Sequence, residues 1–467
     1  MRRHVVLVSV VLLWMGCQSS WASTYVVSPD GSGDYPTIQA AVDAAVPGDV
    51  VALTNGIFTG DGNRNVDFLG KAITVMSQSG NADACVLDCE GSQTLNRRGF
   101  IFHSGEGSDS VLEEITIRHG YCSRGGGVLC AGGSPRIIAC LLELNSASEN
   151  GGGLDCESGS APQVESCVFS GNWSEANGGG GDCYQCAPTF SQCVFSGNRS
   201  RWEGGGLSCH YEGNPTLIGC VFRDNSTDAW GGGGGGLYCL DSAPVLSDCS
   251  FIDNTSRGLT GEGGGVRLYQ EANAVFTRCV FGGNMSDQHG GGISAHRSSF
   301  VLVDCVVYKN IGQGGGGGFS VDRGSLSLIG CTIDGNSAEN GSGILCLGDG
   351  QVELSRTVVA FGVGGEAVRC EDTATATLSC CDLYANEGGD WVGPISGQFG
   401  ISGNISADPL FCSVEDDDFT LHANSPCAPD SNPECGLIGA WPVGCSSTPV
   451  GATTWGAIKA MFRGATK

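Results

Sequence analysis

Cysteine recurs in this sequence at spacings that would stack thiols, the ligands that soft metal ions such as zinc prefer. A first column comprises Cys130, Cys156, Cys183, Cys209 and Cys239. A second column comprises Cys140, Cys167, Cys193, Cys220, Cys249, Cys279, Cys305, Cys331 and Cys381, with Thr357 in the slot before the last. Where the columns lose cysteine, the sequence has Leu268, Ala295, Val321 and Thr357. These are packing residues rather than alternative ligands, so the pattern favours buried stacking, with some disulfides, over metal binding.

Carboxylates are the second group that could do chemistry. Hydrolysis of a glycosidic bond needs a pair of them, and β-elimination of a uronate needs a base beside calcium-binding acids. The acidic residues of the predicted loops include Glu113, Glu114, Asp155, Glu165, Asp224, Asp253 and Asp304. None of these repeats in a pattern that isolates a pair. The sequence therefore assigns no catalytic residue and no cofactor-binding residue.

Other polar clusters give weaker signals. Glu415–Asp418 could bind Ca²⁺, but this run lacks the alternating spacing of a calcium loop, which favours a solvated acidic turn. His289 and His296 flank a glycine run without the spacing of metal ligands. Arg118 and His119 are a conceivable pair of basic groups in a groove, with a plain surface position as the simpler interpretation.

The N-terminus predicts export. Within residues 1–22, Met1–Arg3 supplies positive charge, Val5–Gly16 is apolar, and Ser20–Ala22 offers a cleavage site between small residues. Lipidation of Cys17 after cleavage is the alternative, which the bulky residues before that cysteine disfavour. Beyond this segment no stretch approaches the roughly 20 apolar residues that span a bilayer. The sequence thus predicts a secreted or bacterial cell-surface protein.

The composition agrees with that location and narrows the partners. The chain has 467 residues with 78 glycines and 26 cysteines, and its formal net charge is -26. This acidic balance argues against nucleic acid and anionic membranes as partners. Export makes the cysteines compatible with disulfides. The close pairs Cys183/Cys186 and Cys380/Cys381 are each expected to be structural and not redox centres.

One unit of sequence, seen at residues 151–172, returns about every 26 residues, which predicts a solenoid in which each unit forms one coil. Each unit has two short runs with alternating apolar residues. Leu154 and Cys156 mark the first run, and Cys167 and Phe169 mark the second. Because side chains alternate along a strand, these residues should face the interior of the coil.

Polar and glycine-rich turns repeat with the same period. Asparagine follows the second run at Asn145, Asn172, Asn198, Asn225, Asn254, Asn284, Asn310, Asn336 and Asn386. Since asparagine tolerates left-handed backbone and bonds to neighbouring backbone, the column predicts an asparagine ladder. Glycine runs such as Gly151–Gly153 and Gly231–Gly236 predict tight corners with positive φ. A nucleotide-binding loop is the alternative, but no helix start or Lys-Ser/Thr follows these runs.

The paired motifs resemble a known family. Gly151–Leu154 with Phe169–Asn172, and Gly204–Leu207 with Phe222–Asn225, look like the GG[AG][ILV] and FxxN repeats of chlamydial polymorphic outer-membrane proteins. More broadly, roughly residues 110–390 resemble the right-handed parallel β-helices of the pectin-lyase-like group. The resemblance implies an all-β, right-handed parallel β-helix solenoid.

The stretch Asp30–Ala45 is similar to the opening of pectin methylesterases, in which the part matching Thr37–Ala45 is a short helix that caps the solenoid. Its apolar residues recur at helical spacing, which predicts an amphipathic helix. Counterparts of that family's later Gln and Asp catalytic motifs are missing here, which argues against esterase activity. The first coils should contain strands at Val50–Leu53, Ile73–Met76, Phe100–Phe102 and Ile115–Ile117.

The predicted organisation has five parts. They are a signal peptide at 1–22, an N-terminal cap with irregular coils at 23–110, β-helix repeats at 111–400, a Cys-rich cap at 401–445, and a linker with a basic amphipathic tail at 446–467. The Cys-rich cap should be stapled by disulfides from Cys412, Cys427, Cys435 and Cys445. The tail around residues 455–467 is either a sorting or anchoring tag or a packed terminal helix.

Three functions fit this sequence. A regular array without an isolated catalytic cluster, together with the likeness to repeat adhesins, favours a non-enzymatic protein that binds polysaccharide or a host or cell-surface glycan. The alternative is a lyase or hydrolase of acidic polysaccharides. A surface-layer component that only assembles with itself is the third. A groove with converging basic groups and carboxylates would favour the enzyme, whereas a groove of Gly, Ser and Asn would favour binding.

Overall fold

The computed structural model describes residues 22–228 and 232–445, and these form an all-β parallel solenoid with few helices. Each regular coil passes through four sheets in turn, named here A, B, C and D. The expected signal peptide, Cys17 and the 446–467 tail lie outside the described residues, apart from Ala22. Within the described ranges no helix is long and apolar enough to cross a membrane.

The strands of each sheet are hydrogen-bonded to the equivalent strands of the coils before and after. Sheet A has fourteen strands: Thr24–Val27, Val50–Leu53, Thr74–Ser77, Val111–Glu113, Arg136–Ile138, Gln163–Glu165, Thr189–Ser191, Thr216–Ile218, Val245–Ser247, Ala274–Thr277, Ser299–Val303, Ser325–Ile329, Gln351–Ser355 and Thr375–Ser379. Sheet B has thirteen: Gly56–Phe58, Cys85–Asp88, Thr116–Arg118, Leu141–Glu143, Val168–Ser170, Val194–Ser196, Val221–Arg223, Ser250–Ile252, Val280–Gly282, Val306–Tyr308, Thr332–Asp334, Val358–Ala360 and Asp382–Tyr384.

The other two sheets complete the coil. Sheet C has ten strands: Tyr121–Arg124, Ser146–Asn150, Trp173–Ser174, Arg199–Ser200, Ser226–Thr227, Thr255–Ser256, Met285–Ser286, Ile311–Gly312, Ser337–Ala338 and Val363–Gly364. Sheet D has twelve: Val66–Asp67, Phe100–Phe102, Val128–Ala131, Leu154–Glu157, Gly181–Tyr184, Leu207–His210, Leu237–Leu240, Val266–Tyr269, Ile293–His296, Phe319–Asp322, Ile344–Leu347 and Val368–Cys370. Two of the four strands predicted for the first coils, Val50–Leu53 and Phe100–Phe102, lie where expected, and the other two begin one residue later.

The core runs along the inside of the coils as columns of identical or similar side chains. The predicted inward residues Leu154, Cys156, Cys167 and Phe169 are all buried, which confirms the alternation. Adjacent coils pair in register, so that Phe169 stacks on Phe195 with ring centroids 4.6 Å apart. In-register stacking explains the sequence period, because each residue type must suit the same residue one coil away.

The asparagine ladder is confirmed by its hydrogen bonds. Asn172 Oδ1 accepts from the backbone N–H of Asn145 at 3.0 Å and from its side-chain amide at 3.2 Å, while Asn172 Nδ2 donates to the carbonyl of Leu142 at 2.9 Å. The expectation of a left-handed asparagine is wrong, since the positive φ falls on the preceding residue, Leu144 or Gly171. The asparagine instead has its side chain buried and satisfies the turn.

In the two glycine runs the predicted positive φ occurs at Gly151, Gly233 and Gly234, and the other described glycines of these runs lack it. Gly151 has φ 64°, a conformation that costs glycine little. At Gly152, a Cβ would lie 2.4 Å from the carbonyl oxygen of Trp173 in the next coil. Any side chain there would separate the two coils, which explains why the corner keeps more than one glycine.

A helix lies near the N-terminal end at Ile38–Ala44, inside the predicted segment. Thr37 begins it as N-cap, with Oγ1 accepting from the N–H of Ala40 at 3.3 Å. Ile38, Ala41 and Val42 are buried, as the helical spacing predicted. Its role as a cap stays a prediction. The remaining helices are 3₁₀ turns at Ala82–Ala84, Gly393–Gln398 and Val414–Asp416.

The C-terminal segment folds back along the outer face of sheet B. It forms a small sheet of Phe411–Ser413, Asp418–His422 and Val443–Cys445. Phe419 is buried against Tyr308, with ring centroids 5.2 Å apart, and Lys309 Nζ pairs with Asp417 at 2.7 Å. This segment therefore covers one side of several coils rather than only their end.

Disulfides hold this segment as predicted, but not through all four of its cysteines. Cys412 pairs with Cys445, and Cys435 pairs with Cys380 of the preceding coil. Cys427 is a buried free thiol whose sulfur lies 3.1 Å from Asp382 Oδ2. A third disulfide joins Cys183 to Cys186 and so removes Cys183 from the thiol column.

Candidate functional site

An open groove lies on the outer face of sheet A, over the strands from Ala274–Thr277 to Thr375–Ser379. It has a cavity volume of about 670 Å³. Sheet A widens here, because its strands have three residues at Val245–Ser247 and five from Ser299–Val303 onward. The widening adds one more outward-facing column of side chains than the preceding coils have.

Two outward columns form the floor of the groove. One consists of Asn273, Ser299, Ser325, Gln351 and Thr375, and the other of Val275, Val301, Ser327, Glu353 and Thr377. Their spacing is the separation of hydrogen-bonded strands, about 4.8 Å. The groove thus repeats hydroxyl and amide groups at a constant interval along the solenoid axis.

Most groups in the groove can make hydrogen bonds without carrying charge. Ser325 donates to the hydroxyl of Ser299 at 2.8 Å, which aligns neighbouring hydroxyls. Val275 and Val301 add apolar surface beside them. Among the described lining residues, Glu353 is the one charged side chain. The arrangement can bind an extended neutral chain, but these lining residues offer no carboxylate pair and no basic group for cleavage.

A second polar cluster, the charged row, lies on the outer side of sheet D beneath the connections that come from sheet C. Its members are Asp155, Asp182, Glu203, Ser208, His210, Tyr238, Glu262 and Arg267. Asp155, Asp182 and Ser208 point outward from their strands, yet each is buried. This row was not predicted from the sequence, because Asp155 was expected in a loop and Asp182 was not among the candidate acids.

Ser208 and His210 form the closest approach to a catalytic arrangement. Ser208 Oγ lies 2.5 Å from His210 Nε2, and the same nitrogen lies 3.4 Å from Asp182 Oδ1. Glu203 Oε2 is 4.0 Å from His210 Nδ1. A serine beside a histidine that an acid orients is the basis of nucleophilic acyl transfer.

Two properties argue against that chemistry. Burial by itself lowers the pKa of His210, but the contact with Asp182 and the charge of Glu203 outweigh it and raise the pKa above its ordinary value. A raised pKa favours the protonated imidazole, which cannot accept a proton from serine. Ser208 is also fully buried, so a substrate could not reach its hydroxyl. The charged row therefore acts as a buried ionic network that fixes the C-to-D connections.

Arg267 extends this network to the following coils. Its Nη1 donates to the carbonyl of Thr260 at 2.8 Å, and its Nη2 lies 3.4 Å from Glu262 Oε2. The guanidinium also lies over the ring of Tyr269, 5.2 Å from the centroid. Burial, and then the charge of Glu203, raise the pKa of the Tyr238 hydroxyl well above its ordinary value. Arg267 Nη1 also donates to the carbonyl of Gly232, so Arg267 joins the connection that holds Thr260 and Glu262 to the connection one coil before it.

The structure does not gather the other candidates from the sequence into a site. Arg118 Nε and His119 Nδ1 both lie 3.0 Å from one oxygen of Asp88. His296 Nδ1 pairs with Asp322 at 2.7 Å, whereas His289 lies in a neighbouring connection. These groups hold coils together and do not converge on the groove.

The acidic run Glu415–Asp418 is occupied by local bonds. Asp416 accepts from Ser413 Oγ at 2.9 Å, and Asp418 accepts from Thr420 Oγ1 at 2.6 Å. Asp417 pairs with Lys309 of sheet B. Within residues 22–228 and 232–445, no group of three or more His, Cys, Asp or Glu residues has a geometry that could hold a metal ion. Calcium binding here stays an untested expectation.

Asp224 and Asp253 occupy equivalent turns between sheets B and C, one coil apart, whereas Asp304 lies in a turn between sheets A and B; all three have positive φ. Burial, and then the charges of Asp224 and Asp417, raise the pKa of Asp253 above its ordinary value. Asp224 and Asp253 lie beyond sheet B, away from the groove on sheet A, and Asp304 is not among the residues that line the groove. The repetition of Asp224 and Asp253 follows from the turn that both form.

Comparison with known proteins supports the architecture. Residues 177–325 match the family model of the right handed beta helix region. No curated protein matches the chain. The chlamydial repeats that the motifs resemble are not among these findings.

Solved structures give distant likenesses. A pectate lyase matches with TM-score 0.39 and 15% identity, over 91% of this chain and 97% of that chain. A mannuronic acid specific polysaccharide family 6 lyase from human gut microbiota matches with TM-score 0.39 and 12% identity, over 83% and 91%. The A-module of an Azotobacter vinelandii mannuronan C-5 epimerase matches with TM-score 0.30 and 14% identity, over 79% and 95%.

Proposed function

We propose that this protein is a non-enzymatic β-helix protein that binds a neutral polysaccharide along the groove of sheet A. The observation that carries the proposal is the lining of the groove, which has hydroxyl and amide groups in columns and a single carboxylate, Glu353, among the described residues. Regularly spaced neutral donors and acceptors suit a polymer whose hydroxyl groups also repeat at a regular interval.

Electrostatics favour a neutral ligand over an acidic one. The chain carries a formal net charge of -26, so a polyuronate would approach against long-range repulsion. Glu353 would repel it again inside the groove. The apolar surface of Val275 and Val301 can pack against the C–H faces of sugar rings. A neutral polysaccharide would not be repelled, and it could make both hydrogen bonds and apolar contacts in the groove.

We propose further that the protein works outside the cell, secreted or at a bacterial surface. The sequence of residues 1–22 and the disulfides near the C-terminus support this location, because disulfides persist in oxidising compartments. The tail at residues 446–467 would then serve as a sorting or anchoring segment. Adhesion to a glycan surface is the use that this location favours.

The test is binding and product analysis on one panel. Purified protein is titrated with neutral glucans, mannans and galactans and with pectate and alginate, and each mixture is also chromatographed for shortened chains. We expect binding to a neutral polymer, with every polymer left intact. Shortened pectate or alginate would overturn the proposal in favour of a lyase or hydrolase.

A matched pair of variants tests whether the ligand binds in the groove of sheet A. Gln351 and Glu353 lie in the groove, whereas the identical sequence Gln163-Val164-Glu165 lies on the same face of sheet A in an earlier coil. Replacing both polar residues by alanine in the groove should weaken binding by roughly tenfold or more, at about 1 kcal/mol per lost hydrogen bond. The same change at Gln163 and Glu165 should leave the affinity unaltered. Equal effects of the two variants would contradict binding in the groove.

A further inference from the structure

The last two strands of sheet D carry two cysteines that differ sharply in accessibility. Cys346 and Cys370 are register partners on the adjacent strands Ile344–Leu347 and Val368–Cys370. Both belong to the inward column that begins with Cys130. Cys346 is fully buried, whereas Cys370 is partly exposed. Nineteen free cysteines lie in the described ranges, and Cys370 is the single one of them that is not buried.

The exposure of Cys370 follows from its place at the end of sheet D. No further strand of this sheet follows Val368–Cys370 in the described part of the chain, so one side of the cysteine lacks the coil that covers the others. The segment 388–394 passes over this end and leaves a pocket of about 270 Å³, which Cys370 lines together with Val368 and Arg369. A small reagent can therefore reach this sulfur from solvent.

A hydrogen bond with Cys346 favours a thiolate at Cys370, whereas the charges at the pocket rim do not. Arg369 Nε lies 2.7 Å from Glu371 and its Nη1 lies 2.9 Å from Glu366, so the pocket rim has one cation between two anions. A hydrogen bond from the Cys346 thiol lowers the pKa of Cys370. The thiolate is the nucleophilic form of cysteine, and the exposed member of the pair is the one that water can also solvate.

The spacing of the two residues suits a disulfide. Register partners on neighbouring parallel strands lie about 4.8 Å apart, inside the range of about 4.4–6.8 Å between Cα atoms of disulfide-bonded cysteines. Inner pairs such as Cys209 and Cys239 have the same register, but coils on both sides hold them in place. The end strand can shift toward its one neighbour, which an inner strand cannot do without disturbing the next coil.

We propose that Cys370 and Cys346 form a redox-active pair that exchanges with small-molecule disulfides and closes a covalent clamp on the last coil. The Cys370 thiolate attacks one sulfur of the small disulfide, forming a mixed disulfide and releasing one thiolate. The Cys346 thiol then loses its proton and attacks the Cys370 sulfur, which releases the second thiolate. The protein pair loses two electrons and two protons, and the small disulfide becomes two thiols.

The clamp would act where a solenoid is weakest. A terminal coil has a neighbour on one side only, so it frays more easily than an inner coil. A bond between Cys346 and Cys370 ties it to the preceding coil. Together with the disulfide between Cys380 and Cys435, the oxidised pair would fix this end of the molecule at two sides of the coil.

The experiment follows thiols in the folded full-length protein by mass spectrometry. Native protein is treated mildly with a phosphine and divided into two samples. One sample is alkylated directly with N-ethylmaleimide, and the other is treated with oxidised glutathione before the same alkylation. In the sample without glutathione, we expect Cys370 to be alkylated before any other thiol. After treatment with oxidised glutathione, Cys370 should no longer be alkylated, and the peptides that contain Cys346 and Cys370 should be joined by a disulfide. The buried thiols, alkylated only in guanidinium, are the internal control.

Two variants separate the roles of the pair. In Cys346→Ser, and in Cys346→Ala in case serine disturbs the core, glutathione should remain attached to Cys370 because no second thiol displaces it. Cys370→Ser should show neither alkylation nor adduct under native conditions. Circular dichroism confirms that each variant is folded. A lasting glutathione adduct on the unmodified protein, or alkylation of buried thiols as fast as Cys370, would overturn the proposal.

Discussion

Asp155 and Asp182 are direct partners on neighbouring parallel strands of sheet D, and both side chains are buried. Asp155 Oδ2 and both carboxyl oxygens of Asp182 accept no well-aligned hydrogen bond, although His210 Nε2 lies 3.4 Å from Asp182 Oδ1. Burial, and then the charge of Asp182, raise the pKa of Asp155 well above its ordinary value. The pair therefore destabilises the fold when both carboxyls are ionised.

The variant Asp155→Asn should be more stable than the unmodified protein at pH 8, by about 1–3 kcal/mol, because its amide is neutral and can donate to Asp182. Because the pKa of Asp155 is raised in the folded protein, its protonated form stabilises the fold fully at pH values below the unfolded pKa of about 3.9. This stabilisation is lost as the pH rises through the folded pKa. The stability difference between Asp155→Asn and the unmodified protein should thus be small near pH 4. Urea midpoints at both pH values measure it, with the exposed Asp109→Asn as control. Lower stability of Asp155→Asn at pH 8 would refute this account.

The C-terminal segment should become easier to detach as pH rises. Burial raises the pKa of Asp334 to about 7, against the opposing charge of Lys309, and the side chain lies where that segment covers sheet B. The neutral carboxyl of Asp334 stabilises the fold fully at pH values below the unfolded pKa of about 3.9, and this stabilisation is lost as the pH rises through about 7. Asp334→Asn should abolish this dependence and stabilise the protein at pH 8 by up to about 4 kcal/mol, at about 1.4 per pKa unit.

Limited proteolysis at pH 5 and pH 8 reports the attachment of that segment. The unmodified protein should be cleaved faster at pH 8 within residues 411–445, and Asp334→Asn should be cleaved at similar rates at both values. Asp304→Asn, at an exposed position of a nearby turn, is the control and should behave like the unmodified protein. An unchanged pH profile in Asp334→Asn would count against a role for this carboxyl.

The asparagine ladder predicts a large cost for one truncation. Asn225 Oδ1 accepts from the backbone and side chain of Asn198, each at 3.0 Å, and Asn225 Nδ2 donates to the carbonyl of Phe195 at 2.9 Å. Asn225→Ala leaves buried groups unpaired and should cost about 2–4 kcal/mol. The melting temperature measures the loss. Asn214→Ala, in an exposed turn, should cost much less; equal losses would contradict the ladder's role.

The aromatic contact of the C-terminal segment can be tested separately. Phe419 packs on Tyr308, on Phe411 with centroids 5.5 Å apart, and on Trp441 with centroids 6.1 Å apart. Phe419→Ala should cost about 3–5 kcal/mol of local stability. Proteolysis within residues 411–445 should accelerate while the repeats stay intact. Phe399→Ala, at a half-exposed ring, is the control, and equal acceleration there would argue against the Phe419 contact.

The repeat could be predicted in detail because a solenoid turns spacing in the sequence into contact in space. Residues about 26 apart become neighbours, so the spacing of Asn145 and Asn172 was enough to predict their hydrogen bond. The alternation of Leu154 and Cys156 likewise predicted which side chains face inward. The left-handed residue was misassigned, because period alone does not distinguish the asparagine from the residue before it.

The sequence by itself determined the period, the inward columns, the ladder and the glycine corners, since each depends on a contact with the equivalent residue one coil away. The tertiary structure alone decided what covers the outward residues. Asp155 is buried because a connection passes over it, and Asp334 because the C-terminal segment folds back. Cys370 is partly exposed because sheet D ends there. This coverage comes from segments that do not repeat, so the period of the sequence does not predict where they lie.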